Sequence, residues 1–126
     1  MQFAVDVLRL VSGLPKTMAA EVIGHQLAKS ATSVTANYRA TCNARSRSEF
    51  IARLGVVVEE ADESVCWLEL AIRANLFQLS AAASLRNEAV ELRAIFARSL
   101  GTARRNSTPA MKRPNPMTKS NDQITR

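Results

Sequence analysis

Apolar residues recur at spacings of three and four along most of the chain, the period of a helix that buries one stripe. Phe3, Val7, Leu10, Val11 and Leu14 trace the first stripe and predict a helix over residues 3–14, ended by Gly13 and Pro15. Thr17 suits an N-cap with Glu21 behind it, and a second helix is expected over Met18–Cys42, its stripe carried by Ile23, Leu27, Ala31, Val34 and Tyr38. That segment also holds Ser30, Thr32, Ser33, Thr35 and Asn37. Such side chains compete with the backbone for hydrogen bonds, so tertiary packing must hold the helix. Ser46 and Glu49 form a capping-box pattern at the head of a third helix, where Phe50, Leu54, Val57, Val58, Ala61, Val65, Leu68 and Ile72 keep the period. Residues 75–79 read as a linker, and Ser80 as the N-cap of a fourth helix with Leu85, Ala89, Leu92, Phe96 and Leu100 facing inward.

Four amphipathic helices joined by short connections predict an all-α fold, an up-down-up-down antiparallel four-helix bundle spanning residues 1–105. Few glycines and aromatics and many Ala, Leu, Val, Arg and Glu agree with it. After Arg105 the residues become Asn, Ser, Thr, Pro, Lys and Arg, and Pro109, Pro114 and Pro116 block a helix, so residues 106–126 are expected to form a disordered basic tail.

Charge divides along the same line. Through Ala97 ten basic residues face ten acidic ones; from Arg98 onward seven basic residues face Asp122 alone, so the net +6 belongs to the C-terminal part. In the antiparallel topology the connection between the second and third helices and the end of the fourth share one end of the bundle. Arg39, Arg45, Arg47 and Arg53 surround that connection against Glu49, and Arg104, Arg105, Lys112 and Arg113 follow the fourth helix. These eight cations are the candidate nucleic-acid contacts, suited to phosphates and indifferent to base sequence because no aromatic residue lies in the tail to stack on bases.

Several chemistries find no support. No apolar run is long enough to cross a bilayer and Met1–Leu10 lacks the pattern of a secretory leader, so no membrane partner and a cytoplasmic location are expected. Cys42 and Cys66 have no neighbours at zinc-ligand spacing and should lie roughly 25 to 30 Å apart at 1.5 Å per residue, beyond disulfide reach; both are expected to be buried structural thiols. Glu59, Glu60, Asp62 and Glu63 lack the Glu-x-x-His partners of a di-metal bundle, and His25, the only histidine, cannot meet Cys42 along one helix. The expectation is no catalytic residue, no metal, no cofactor and no small-molecule substrate.

Five segments carry a resemblance: Ile23-Gly24-His25-Gln26-Leu27, Ser33-Val34-Thr35-Ala36-Asn37-Tyr38-Arg39-Ala40, Ala44-Arg45-Ser46-Arg47-Ser48-Glu49-Phe50-Ile51, Val58-Glu59-Glu60-Ala61-Asp62-Glu63-Ser64 and Trp67-Leu68-Glu69-Leu70. In this order, over roughly residues 3 to 105, they resemble the bacterial four helix bundle protein family, relatives of proteins encoded within intervening sequences of large-subunit ribosomal RNA genes. The resemblance implies a bundle whose protomers assemble into a ring, typically a pentamer. It also implies kinship with the accessory protein of diversity-generating retroelements, a basic ring that binds a reverse transcriptase and nucleic acid. Thr35 departs from the Gly or Pro frequent in the family, and the neutral body departs from that accessory protein. The Ser-Val-x-Ala-Asn pattern is part of the resemblance and makes Ser33 and Asn37 candidates for an interhelical or intersubunit polar contact.

The function expected is therefore a non-enzymatic, homo-oligomeric interaction or scaffold protein. Ile51, Val56, Cys66 and Leu70, apolar yet off the main stripe of the third helix, motivate the oligomer. The alternative is a nucleic-acid-binding accessory protein with RNA, DNA or a reverse transcriptase as partner.

Overall fold

The computed structural model describes residues 1–107, which form four helices: α1 (Gln2–Ser12), α2 (Met18–Cys42), α3 (Arg47–Arg73) and α4 (Leu79–Ser107). Their ends follow local chemistry. The amide N–H groups of Gly13 and Leu14 close on the carbonyls of Leu10 and Val11 at 3.1 Å, which ends α1 two residues before the expected Leu14. The Thr17 hydroxyl accepts from the Ala20 N–H at 3.2 Å and starts α2. The capping box of α3 is present: Ser46 Oγ accepts from the Glu49 N–H at 3.0 Å, and Glu49 Oε1 accepts from the Arg45 N–H at 3.0 Å.

The turn after α3 was expected only as a linker. Asn75 adopts a left-handed φ of 57°, its N–H donates to the Ile72 carbonyl, and the Leu76 N–H donates to the Ala71 carbonyl. This is the Schellman pattern, in which asparagine tolerates a conformation that usually selects glycine. α4 begins at Leu79 rather than after a Ser80 cap, because the Ala82 N–H already donates to the Gln78 carbonyl at 3.1 Å. It also continues through Asn106 and Ser107, two residues of the expected tail; the rest of that tail, with Lys112 and Arg113, lies outside the described residues.

Helix α1 packs on α2 and α4, and α3 packs on the same two from the other side, the square arrangement of an up-down-up-down bundle. Antiparallel register is explicit in the contacts. Ser30 meets Ser64 and Asp62 meets Arg93, while Val34 and Leu100 join Leu54 and Val57 nearer the α2–α3 turn. At Gly24 the first two helices come close: a Cβ there would stand 2.9 Å from Leu14 Cδ1 and 3.1 Å from Val11 Cγ1.

The core has two parts. Phe3, Val7, Leu27, Ala31, Val65, Leu68, Leu85 and Ala89 draw on all four helices, whereas Val34, Leu54, Val57, Ala61 and Leu100 draw on α2, α3 and α4 alone. Helix α1 has 11 residues and its neighbours have 25 to 29, so it covers only half of the α2–α4 face. Beyond Met1 that face is an open groove of about 320 Å³, with Val34, Tyr38 and Cys42 on one wall and Leu92 and Phe96 on the other.

Both cysteines are exposed, which corrects their expected burial. Cys66 adjoins the core residue Val65, and one helical step of about 100° turns it outward. Cys42 sits in the last turn of α2, past the reach of α1.

Candidate nucleic-acid interface

Three helix ends meet where the arginines gather. The C-terminal turn of α2 supplies Arg39, the capped start of α3 supplies Arg45, Arg47 and Arg53, and the last turns of α4 supply Arg98, Arg104 and Arg105. Arg47 and Phe50 share a hollow with Ile95, Arg98 and Thr102, and a second hollow joins Arg45 to Ala103. The α2–α3 connection and the end of α4 therefore do share one end, as the topology predicts.

Glu49 is the only carboxylate in either segment of this end, residues 39–53 and 98–107. It is already engaged, since Arg53 Nε donates to Glu49 Oε2 at 2.9 Å. The Arg45 backbone N–H and the Arg53 side chain together hold the Glu49 carboxyl below its usual range. Arg105 donates to Thr102 Oγ1 at 3.2 Å on its own helix. Arg39, Arg45, Arg47 and Arg98 make no ion pair among the described residues. The C-terminal dipoles of α2 and α4 also favour cations here, so part of this charge serves the helices themselves.

Aromatic rings, absent from the tail sequence, stand beside these cations. Tyr38 is 46% exposed and lies against Phe96 with centroids 5.4 Å apart, next to Arg39 and Asn43. A hydrogen bond with the Cys42 side chain one turn on raises the Tyr38 phenol above its usual range. The signal was in the sequence, in two inward stripes that carry Tyr38 and Phe96 past the end of a first helix half as long as the others.

Within the protomer the Ser33 and Asn37 side chains make no hydrogen bond to another helix. Asn37 Nδ2 donates to the Ser33 carbonyl at 2.9 Å within α2, the ordinary use of such side chains. The buried polar link between helices falls instead to Ser30 and Ser64, whose hydroxyls are 2.9 Å apart. Their spacing in the sequence carries no sign of the pairing. Among the described residues no three His, Cys, Asp or Glu side chains converge to hold a metal, and no helix is long and apolar enough to cross a membrane.

Comparisons with known proteins give the same architecture. The chain is similar to a crystallised protein of unknown function from the S23 ribosomal protein family of Bacteroides thetaiotaomicron, with 31% identity and a TM-score of 0.73 over 79% of this chain and 92% of that one. No curated protein matches. Neither that relative nor the matching family carries an assigned catalytic activity. The model of the 23S rRNA-intervening sequence protein family matches residues 1–98, which contain all of α1 to α3 and most of α4, and the chain belongs to that family.

Proposed function

We propose that this protein acts without catalysis, as a homo-oligomeric scaffold that presents one surface, repeated by symmetry, to a partner. The observation that carries the reading is the outer face of α3, where Val56 and Leu70 are 39% and 45% exposed with Cys66 between them, on the side away from the core. Glu59 and Glu63 share this face, and exposed apolar side chains among polar ones on the outer side of a core helix suit association between copies. The ring, and the pentamer in particular, rests on the family resemblance. A cytoplasmic setting, where the exposed thiols stay reduced, fits the same reading. Light scattering at micromolar concentration should give a multiple of 13.8 kDa, five times that mass for the pentamer; a 13.8 kDa particle throughout overturns the proposal.

The basic end supports a second reading, a sequence-indifferent contact with RNA or DNA, alone or beside a reverse transcriptase. Seven arginines with one engaged carboxylate favour phosphate, and assembly would multiply that charge. Filter binding decides it: retention of single-stranded RNA or DNA at low salt that weakens as salt rises is expected, and no retention at low salt removes this reading.

A further inference from the structure

The groove beside α1 has the size and polarity of a small-molecule site. Its inner end is apolar and closed, with Phe3 and Val34 each 6% exposed and Leu92 packed against the core. Its outer end is polar and open, with Arg39, Cys42 and Asn43 exposed in the last turns of α2. From Val34 to Asn43 this wall runs nine residues along the helix, roughly 14 Å at 1.5 Å per residue. The volume of about 320 Å³ lies at the low end of the range for small-molecule sites, about 300 to 1,000 Å³. A slim chain fits such a space better than a helix, which is about 10 Å across.

Charge selects the head group. Among the described residues that line the groove none is Asp or Glu, and Arg39 makes no ion pair. Thr35 and Tyr38 add hydroxyls on the same wall. The start of α1 borders the groove with no acidic residue in its first turn, so its dipole adds positive field there. The C-terminal dipole of α2 opposes it, but the full charge of Arg39 exceeds the roughly half charge of a helix end. An anionic head is therefore favoured over a neutral or cationic one.

We propose that the groove binds a medium-chain fatty carboxylate, its alkyl chain laid toward Phe3, Val34 and Leu92 and its carboxylate held at Arg39. Such a ligand covers the apolar strip that α1 leaves bare and keeps its head at the solvent edge, where neither charge has to be buried. The site is complete within one protomer, so it stands or falls separately from the oligomer. The basic C-terminal segment of the chain is a poorer occupant, since its cations would face Arg39.

The two thiols provide the test, one inside the site and one outside. Cys42 lines the groove, and Cys66 lies on the outer face of α3. In the full chain, decanoate below its micelle-forming concentration should slow N-ethylmaleimide labelling of Cys42 saturably and leave the rate at Cys66 unchanged, read by peptide mass spectrometry. Half-protection should need about fourfold more ligand for each methylene removed, from decanoate to nonanoate to octanoate. Decyltrimethylammonium, with the same chain and the opposite charge, should protect Cys42 far less. Arg39 is exposed, so Arg39→Glu leaves the core untouched; it should weaken decanoate protection roughly tenfold and favour the ammonium instead. No protection by decanoate, equal protection by both head groups, or slowing of Cys66 alongside Cys42 overturns the proposal. So does a Cys42 already shielded without ligand: shielding that lifts on dilution assigns the groove to a second copy, and shielding that persists assigns it to the chain's own C-terminal segment.

Discussion

Ser30 and Ser64 illustrate how a polar pair survives inside an apolar seam. Each hydroxyl has one proton, and a backbone carbonyl waits one turn back on each helix, Leu27 for Ser30 at 3.2 Å and Glu60 for Ser64 at 3.1 Å. One serine donates to its own helix and the other donates across. Removing either hydroxyl alone should cost about 1 kcal/mol, while Ser30→Ala with Ser64→Ala should cost clearly less than the sum of the two, because the bond they share is lost with the first substitution and cannot be lost again. Urea unfolding followed by the single Trp67 measures the cycle; strict additivity would show that the hydroxyls do not interact. Gly55 is a simpler case. It lies inside α3, and a Cβ there meets nothing within 4 Å, so Gly55→Ala should stabilise by about 0.5 to 1 kcal/mol through lower chain entropy, seen as a higher urea midpoint.

Two carboxylates give opposite pH dependences. Glu49 has a depressed folded pKa, so its contribution is present above the unfolded value of 4.5 and fades as pH falls through the folded one. Glu60 is raised, first by burial and then by Glu63, so its ionised form opposes folding at neutral pH and the penalty disappears as pH falls through its folded pKa. Glu49→Gln should therefore lower stability at pH 7 and converge with the parent in acid, and Glu60→Gln should raise it at pH 7 and converge likewise. Thermal melts from pH 7 to pH 3 read both; a constant gap at all pH values contradicts the assignment.

At the scale of elements, the decisive quantity is helix length. α3 carries Leu54, Val57 and Leu68, each fully enclosed and each contributing about 1.5 to 3 kcal/mol by burial, and it touches both long neighbours. α1 buries Phe3, Ala4 and Val7 and ends on a short five-residue connection, residues 13–17, to α2. It is too short to be helical alone and depends on its docking. Native-state hydrogen exchange should find the amides of α1 opening well before those of α3, which should track global unfolding; equal protection would mean that α1 and the bundle unfold together.

The whole molecule sets charge against surface. The arginines of the basic end come from three helices, and Glu49 pairs with Arg53 there. If nucleic acid docks at this end, Arg45→Ala with Arg47→Ala should weaken binding evenly across sequences and flatten the salt dependence by about one unit of slope per lost phosphate contact. A loss confined to one sequence would instead indicate base recognition.

How much of this was legible in the sequence depends on range. Periodicity and capping are local, so the four helices, the Thr17 and Ser46 caps and the bundle topology could be read from the order of residues, with ends displaced by one or two positions at Leu14, Leu79 and Ser107. The gathering of arginines at one end followed from topology alone. Three things were decided only by tertiary packing. Cys66 and Val65 are neighbours in sequence but opposite in exposure, because the rotation of α3 about its axis is chosen by the surfaces of α2 and α4. Ser30 found Ser64 across the α2–α3 contact, because register between helices is set by the whole interface. The groove beside Tyr38 and Phe96 exists because α1 stops short, and a helix can reveal what it leaves uncovered only once it has been laid against its neighbours.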